Sequence, residues 1–352
     1  MSTKSIAFAW PGLPDYAARC LRKVCDDHDG NFDVIATRPS VPIEGMEVSL
    51  GKPVHWLDVE SKAVSWRELG LDPPDILFLG GHSERFFRLL AAETRHAGGK
   101  LVLLSDNNLN SGKFLETINR FRHNLWLRHQ FSGVMVPGAA GQQYAQAMGY
   151  NADTIVQSLY GADPSVFFGG APLKSRSEEF IFVGQFVTRK NVLGLADAFL
   201  RLTNDHPGWK LRLCGAGPLK SEIPDHPNII VEDFLQPLQL AEQLRCARCL
   251  VLPSFKEHWG VVVHEAALSG CALALSSTVG AAADIADTTN AVIFAPDSGS
   301  GMEVALRKIA TWEDEQWRHA EQTSRDRARM FGPQPFAAAV NGLIERLTIC
   351  RT

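Results

Sequence analysis

The fold is decided by the stretch CLVLPSFKEHWGVVVHEAALSGCALALSS, residues 249–277. Two apolar runs, 249–254 and 271–277, have the length of buried strands. The segment between them, which begins near Gly260 and stops at Gly270, has the length and signals of a helix. A strand, a helix and a second strand in this order form the repeating unit of a parallel sheet.

The same alternation extends over both halves of the chain. Short β-branched and apolar runs are separated by segments with helical periodicity, which favours parallel sheets with crossover helices. We therefore predict an α/β fold of two Rossmann-like domains whose parallel sheets face each other across a cleft. The predicted strands cover residues 5–10, 33–37, 75–80, 100–105, 133–137, 154–160, 180–185, 209–215, 228–233, 249–254, 271–277 and 291–294.

The division into domains follows from the chain length and from one polar segment. At 352 residues the chain is too long for one ordinary hydrophobic core. Residues 161–179 are rich in Gly, Pro, Ser and charge, as expected of a linker. We predict an N-terminal domain over residues 1–165, a C-terminal domain over 166–332, and a helix within 333–352 that crosses back to the first domain.

The composition is that of an ordinary globular protein and excludes several classes of function. The 35 Lys and Arg residues against 39 Asp and Glu residues give a net charge of −4, so bulk charge predicts no nucleic-acid partner. The seven cysteines lack paired metal-ligand spacing, so no metal site and reduced thiols are expected. No apolar run reaches the roughly 18 residues of a membrane span, so we expect a soluble, cytoplasmic protein.

Two acids, Glu257 and Glu265, stand at the entrance to the helix of the opening stretch. The free amides and the dipole of a helix N-terminus favour phosphates or hydroxyls, and a carboxylate there can accept hydrogen bonds from a pair of sugar hydroxyls. The alternative is that both acids are solvated surface residues. Gly260, which lets a backbone approach closely, and the apolar helix beyond it favour the binding interpretation.

The spacing of the two acids argues against a glycosidase pair. Eight positions on a regular helix separate two residues by roughly 12 Å, whereas the carboxyl groups of a glycosidase lie about 5 to 9 Å apart. Two contacts on one elongated ligand fit this spacing better.

Two further loops after predicted strands carry candidate phosphate contacts. In FVGQFVTRKN (182–191), Arg189 and Lys190 can neutralise a diphosphate leaving group, and a solvated basic turn is the alternative. CGAGPLK (214–220) has a Gly-x-Gly after a strand but lacks the third glycine of the dinucleotide fingerprint. It is either a tight turn that holds a nucleotide or an ordinary turn.

In this order, these elements resemble the retaining glycosyltransferases of family 4, whose two Rossmann-like domains form the GT-B fold. The most specific part is Glu257 and Glu265, which match the family's Glu, seven residues, Glu motif within KEHWGVVVHEAALSG (256–270). Residues 182–191 match the family's phosphate-binding loop, and 214–220 match its G-x-G-P-L turn. The resemblance is strong in the second half of the chain and weak in the first.

The resemblance implies a role for each of these residues. Glu257 would hold hydroxyls of the transferred sugar and Glu265 the donor ribose, while Lys190 and Arg189 would bind the diphosphate. Residues 234–238 would line the base pocket. The donor-binding residues implied in addition are Gly184, Gln185, Gly215, Gly217, Phe234, Leu235, Leu238, His258, Trp259, Gly260, Val261 and Val262.

On the acceptor side, the resemblance points to residues that follow the first strands. Gly12 in WPGLP matches the family's glycine-rich first loop. Asp106 and Asn107 stand where relatives often carry a histidine, and His82 either faces the predicted cleft or is a structural histidine. A departure on the donor side is Gln185, which stands where many relatives have arginine.

The chemistry that the resemblance implies is transfer with retention of anomeric configuration, in which the departing phosphate takes the proton of the acceptor. Such a site needs positioning, charge neutralisation and exclusion of water, and cationic side chains replace a metal. The donor would be a nucleoside-diphosphate sugar, with UDP favoured and GDP as the alternative, and no separate cofactor is expected. The acceptor would be a hydroxyl of a glycan or lipid-linked glycan, in surface polysaccharide or glycoconjugate synthesis.

A basic segment, INRFRHNLWLRHQF (118–131), raises the question of a membrane. Its arginines, histidines and tryptophan suit peripheral contact with the anionic inner face of a membrane or with a lipid-linked diphosphate. An ordinary solvated helix with one packed tryptophan is the other interpretation.

Three other classes of function remain as alternatives or are disfavoured. A nucleotide-sugar epimerase or hydrolase of the same fold would consume the donor without an acceptor. A non-catalytic nucleotide-sugar-binding protein would bind without turnover. A dehydrogenase is disfavoured because no complete G-x-G-x-x-G follows the first strand.

Overall fold

The computed structural model describes residues 4–58, 64–109 and 127–349, and these divide into two compact units. The first unit combines Met1–Gly161 with Phe331–Thr352. The second unit is the intervening part of the chain. The chain therefore changes units a few residues before each predicted boundary.

Among the described residues, seven parallel strands form the sheet of the first unit. They are β1 (Ile6–Trp10), β2 (Phe32–Ala36), β3 (His55–Trp56), β4 (Ile76–Leu79), β5 (Lys100–Leu104), β6 (Gly133–Met135) and β7 (Ile155–Val156). Their order is β3-β2-β1-β4-β5-β6-β7, so the direction of strand addition reverses between β1 and β4. Phe8 of β1 pairs in register with Phe78 of β4, and their rings stack with centroids 4.5 Å apart.

Described helices connect these strands, as expected of parallel crossovers. They are α1 (Asp15–Asp27), α2 (Met46–Leu50), α3 (Arg85–His96) and α4 (Ala139–Ala147).

The sheet of the second unit has six parallel strands in the part of the chain that the structure describes. They are β8 (Glu179–Val183), β9 (Lys210–Cys214), β10 (Ile229–Glu232), β11 (Cys249–Leu252), β12 (Ala272–Ser276) and β13 (Ala291–Phe294). Their order is β10-β9-β8-β11-β12-β13, which reverses between β8 and β11. Every residue of β11 and β12 is buried, because central strands of a parallel sheet are covered on both faces.

The helices of the second unit follow the same βα alternation. They are α5 (Pro164–Phe167), α6 (Val192–Leu202), α7 (Pro237–Cys246), α8 (Val261–Leu268), α9 (Ala282–Ile285), α10 (Gly299–Ala310) and α11 (Asp314–Ala328). Capping side chains fix the first residues of two of these helices. The hydroxyl of Ser298 accepts the amide of Gly301 at 2.9 Å at the start of α10, and Glu313 and Gln316 form a capping box at the start of α11.

The last helix, α12 (Pro333–Ile349), belongs to the first unit and packs on α1. Lys100 at the start of β5 donates to the carbonyl of Leu347 at 2.6 Å, and Arg346 donates to the carbonyl of Asp153 at 2.9 Å. These bonds fix the C-terminal helix against the sheet that the N-terminal residues build.

The predicted α/β fold with two parallel Rossmann-like sheets is confirmed. Across the described ranges, every helix is too short or too polar to cross a bilayer. Residues 118–126 of the basic segment lie outside the described residues, so the peripheral membrane contact and the cytoplasmic location stay predictions.

Candidate functional site

The loops after β8 and β11, together with α8, carry most of the residues predicted to bind a donor. These two strands are hydrogen-bonded neighbours at the point where the second sheet reverses its order. In open α/β sheets, ligands bind outside the carboxyl ends of the strands at such a switch point. The topology therefore brings the loop of Lys190 beside the loop of Glu257.

Lys190 and Glu257 form an ion pair at this switch point. The Lys190 ammonium donates to Oε2 of Glu257, although the two residues are 67 positions apart in the chain. Both side chains are largely buried, with 12% and 13% of their surface exposed. Oε2 of Glu257 also accepts the hydroxyl of Ser254 at 3.2 Å and lies 3.8 Å from Nη1 of Arg189. One carboxylate oxygen thus faces two cations and a hydroxyl.

Two further hydrogen bonds hold the two loops together. The amide of Phe255 donates to the carbonyl of Arg189 at 2.9 Å, and the Arg189 guanidinium donates to the carbonyl of Lys256 at 3.0 Å. Asn191, with φ of 55°, ends the short helical turn Thr188–Lys190 and starts α6. Asparagine adopts this left-handed conformation more readily than most residues, which explains its position here.

Gly260 shapes the entrance to α8. Its φ of 90° lies in the left-handed region, and a β-carbon added there would lie 3.1 Å from Cγ of Glu257 and 3.2 Å from Cδ2 of Leu252. Glycine is therefore required both by the backbone and by the path of the Glu257 side chain.

We expect Gly260→Ala to displace the Glu257 side chain and to strain the backbone by about 1–2 kcal/mol. The free energy of unfolding should fall by that amount, and nucleotide-sugar binding should weaken, as measured by denaturant titration and calorimetry. Gly299→Ala is the matched control, since an added β-carbon meets nothing within 4 Å there. Equal stability and equal binding in the two variants would contradict this role for Gly260.

Glu265 lies on the second turn of α8 and is 9% exposed. The other residues from Val262 to Leu268 are buried, so this acid is not on a solvated helix face. Val261 and Val262 form the first turn of the helix, where backbone amides have no intrahelical acceptor. The arrangement suits an anion or hydroxyl ligand at this terminus.

Trp259 belongs to the core and not to a ligand surface. Its side chain is fully buried, and its indole donates to Oδ2 of Asp284 at 3.1 Å. The Trp259 carbonyl accepts the amide of Ala281 at 2.9 Å. Its contribution to the site is thus to fix the loop between Glu257 and Gly260.

The Gly-x-Gly of residues 215–217 packs against the loop that follows β8. The amide of Gly184 donates to Cys214 at 3.0 Å, and the amide of Phe186 donates to Ala216 at 2.8 Å. A β-carbon on Gly215 would lie 1.9 Å from the carbonyl oxygen of Gly184, and one on Gly217 2.4 Å from that of Phe186. Both glycines therefore allow close contact between two loops, which is a structural reason for the motif.

The remaining donor-side candidates are more accessible. Gln185 is exposed, and His258 is half-buried. In the predicted base pocket, Phe234 and Leu235 are half-buried, whereas Leu238 is 67% exposed on the first turn of α7. The side chain of Leu238 therefore lies on the solvent-exposed face of that helix.

His264, the neighbour of Glu265 in the chain, is buried and joins three segments of the second unit through hydrogen bonds. Its Nδ1 accepts the amide of Ala162 at 2.9 Å, and its Nε2 donates to the carbonyl of Ala328 at 2.8 Å. These partners leave the ring neutral, and burial lowers the pKa of His264 to about 4. The ring ties α8 to segments near both ends of the second unit.

We expect the stability of the second unit to fall on mild acidification because of His264. The unfolded imidazole has a pKa near 6.5 and the folded one about 4, so the unfolded state binds the proton first and stability decreases as the pH falls from 6.5 towards 4. Between pH 7 and pH 5 this contribution is on the order of 2 kcal/mol. Urea unfolding at both values should show a smaller difference in His264→Gln, and an equal pH dependence would contradict the assignment.

The four acceptor-side candidates of the first unit lie around one cavity. Gly12, His82, Asp106 and Asn107 all line it, at the carboxyl ends of β1, β4 and β5. Its volume of about 620 Å³ is in the range of small-molecule sites. The cavity lies where the first sheet reverses its order, as expected of a ligand site in such a sheet.

His82 is therefore at a cavity and not in the core. The residue is half-buried, and burial together with the charge of Arg88 lowers the pKa of its imidazole. A neutral imidazole can donate and accept hydrogen bonds with hydroxyl groups.

Ser254 and Gly280 are two contributors that sequence reasoning missed. Ser254 donates a hydrogen bond to Glu257, and its position as the last residue of a predicted strand was a usable signal. A β-carbon on Gly280 would lie 1.9 Å from the carbonyl oxygen of His258, so this glycine lets the following segment pack under the Glu257 loop. The residues around Gly280 in the sequence do not predict its contact with His258.

Comparison with known proteins finds a match to a family model within the second unit. Residues 177–311 match the model of the family described as glycosyl transferases group 1. The matched residues span most of that unit and include both loops of the site. Glycogen synthase of Mycobacterium tuberculosis is 30% identical over 138 residues, which cover 37% of this chain and 33% of that protein. The chain thus spans about a third of the length of the curated relatives that it matches.

Solved structures resemble the chain over nearly its full length. Anabaena HepE in complex with UDP and glucose has a TM-score of 0.74 and 14% identity, covering 97% of this chain and 99% of that one. WaaG, a glycosyltransferase involved in lipopolysaccharide biosynthesis, has a TM-score of 0.64 and 14% identity, with 96% and 99% covered. These likenesses show the fold, which is that of GT-B glycosyltransferases.

Proposed function

We propose that this protein is a retaining glycosyltransferase of the family 4 type, which moves a sugar from a nucleoside-diphosphate sugar to a hydroxyl of a glycan or lipid-linked glycan. The observation that carries the proposal is the contact between Lys190 and Glu257 at the switch point of the second sheet. It supplies a cation for the leaving diphosphate and a carboxylate for sugar hydroxyls in one place.

In this reaction the protein positions the reactants and stabilises charge. Lys190 and Arg189 neutralise the negative charge that develops on the diphosphate as the bond to the sugar breaks. Glu257 accepts hydrogen bonds from hydroxyls of the transferred sugar, and Glu265 accepts those of the ribose. The leaving phosphate oxygen takes the proton of the acceptor, so retention needs no separate protein base.

The donor that we favour is a UDP-sugar. The solved Anabaena HepE was crystallised with UDP and glucose and with UDP-glucose, and it shares this fold. GDP-sugars are the second choice, because the half-buried Phe234 and Leu235 present no feature specific to one base.

The acceptor side of the proposal rests on the cavity of the first unit. Trp10, Tyr16 and Tyr160 line it, and aromatic faces with hydroxyl-bonding groups such as Asn107 suit a sugar ring. Among its described lining residues there is no lysine or arginine, which favours an uncharged sugar as the unit that enters it.

The proposal is tested by a thermal-shift panel of UDP, GDP, ADP and dTDP with their sugars. One nucleotide should raise the melting temperature, because a ligand at a hundred times its Kd stabilises the folded state by about 2.7 kcal/mol. The same ligand should leave Lys190→Met unshifted. No shift with any member of the panel would contradict the donor assignment.

Transfer is then separated from the alternatives by following the donor with and without a glycan acceptor. A glycosyltransferase consumes the donor with formation of a new glycoside, whose anomeric configuration is read by NMR. An epimerase or hydrolase consumes it without an acceptor, and a binding protein does not consume it.

A further inference from the structure

The charge balance of the Lys190 ammonium suggests a second role for Glu257. A largely buried ammonium is unfavourable unless it is paired, and Glu257 provides the pairing carboxylate in the ligand-free protein. Arg189 is more exposed, at 44%, so solvent partly screens its attraction to the same carboxylate. Glu257 and Lys190 therefore form a largely buried ion pair in the site.

A diphosphate that binds at Lys190 competes directly with this carboxylate. The charge of the Lys190 ammonium is already balanced by Glu257, so the diphosphate adds negative charge without a matching cation. Its phosphate oxygens also lie beside the Glu257 carboxylate, which repels them. An intact sugar nucleotide offsets this repulsion, since its sugar hydroxyls donate hydrogen bonds to Glu257. A free nucleoside diphosphate meets the same repulsion without those bonds.

We infer that Glu257 is the resident counter-ion of Lys190 and that it sets the preference of the site for the intact sugar nucleotide over the nucleoside-diphosphate product. The inference rests on the proposed function and extends it to product release. When the sugar has left, the Glu257 carboxylate returns to Lys190 and helps to expel the diphosphate. Product release limits the turnover of many enzymes. The return of Glu257 to Lys190 therefore affects the turnover rate as well as the affinity for the nucleoside diphosphate.

The local geometry permits this exchange of partners. Gly260 has no side chain beside Cγ of Glu257, so the carboxylate can turn from Lys190 towards a ligand. The hydroxyl of Ser254, which donates to the same carboxylate oxygen, can follow it by rotation.

The test is calorimetric titration of the wild type, Glu257→Gln and Glu257→Asp with inorganic pyrophosphate, UDP and UDP-glucose, or with the nucleotide that the thermal panel selects. We expect Glu257→Gln to bind pyrophosphate and the nucleoside diphosphate about tenfold more tightly than the wild type. The corresponding binding free energy lies between the typical energies of an exposed and a buried ion pair. The sugar nucleotide should not gain affinity, so the ratio of the two Kd values should shift by at least that factor. Glu257→Asp, which keeps the charge, should stay near the wild type for the nucleoside diphosphate.

Glu345→Gln is the matched control, because it removes one negative charge by the same substitution. Glu345 is exposed on α12, outside the unit that carries the site. It should leave all three affinities unchanged. If Glu257→Gln binds the nucleoside diphosphate no more tightly than the wild type, the counter-ion role is wrong while the donor site stands. If the wild type binds no member of the panel, the proposed function and this inference fail together. Should Glu257→Gln not fold, Glu257→Ala removes the same charge and gives the same test.

Discussion

Lys190→Met is expected to abolish transfer and to weaken nucleoside-diphosphate binding by about a hundredfold or more. The substitution keeps an unbranched side chain of similar size but removes the ammonium that pairs with the largely buried Glu257 carboxylate. The Glu257 carboxylate, left with the more exposed Arg189 at 3.8 Å, then repels the diphosphate, and the leaving group loses the Lys190 charge. Calorimetry with the selected nucleotide and a transfer assay measure the two effects.

Lys174→Met is the matched control for this prediction. Lys174 pairs with Asp314 at 3.1 Å, and both side chains are well exposed, so its removal should change stability by less than about 1 kcal/mol and leave transfer intact. Lys190→Arg keeps a cation and should retain part of the binding. Wild-type transfer by Lys190→Met would remove the site assignment.

Glu257→Ala is expected to reduce transfer by at least about a thousandfold while the protein stays folded. The carboxylate is lost from the position where it would hold the transferred sugar, so the sugar is no longer oriented for attack. The loss should appear mainly in kcat, since the free nucleoside diphosphate still has Lys190 as its partner. Circular dichroism and thermal melting establish that the variant is folded.

Glu313→Ala controls for the loss of a glutamate elsewhere in the second unit. Glu313 caps α11, so its removal should lower stability by about 1 kcal/mol without affecting transfer. If Glu257→Ala transfers sugar at the wild-type rate, Glu257 is a structural acid and the proposed mechanism is wrong.

Much of the fold could be predicted from the sequence, because strands that are buried on both faces consist of short runs of apolar residues. The predicted strand at 249–254 corresponds to β11 (Cys249–Leu252), and 291–294 coincides with β13. The exception in the described residues is β3 (His55–Trp56), which is too short to show a period. Tertiary pairing with β2, and not local pattern, makes it a strand.

The candidate site could be predicted in its residues but not in its contacts. The order of loops along the chain identified Lys190 and Glu257 separately, and both lie at the predicted carboxyl ends of strands. Their direct ion pair could not be predicted, since it joins positions 67 apart and depends on β8 and β11 being neighbours in the sheet. Only the strand order, which sequence patterns do not specify, creates that contact.

Other parts of the prediction lacked a local signal. The glycines at 215 and 217 fit a nucleotide-binding turn or a loop packed on another loop. The contacts with Gly184 and Phe186 that distinguish the two possibilities are long-range. Trp259 stands between two candidate ligand contacts, yet its indole is in the core because Asp284 offers a buried acceptor.

A crystal structure of the protein with the sugar nucleotide selected by the thermal panel would show whether Lys190 and Glu257 bind the donor. We expect a diphosphate within hydrogen-bonding distance of the Lys190 ammonium, with sugar hydroxyls bound to the Glu257 carboxylate and the ion pair between the two residues broken. A donor bound elsewhere, or one bound while Lys190 and Glu257 keep their contact and touch neither phosphate nor sugar, would contradict it.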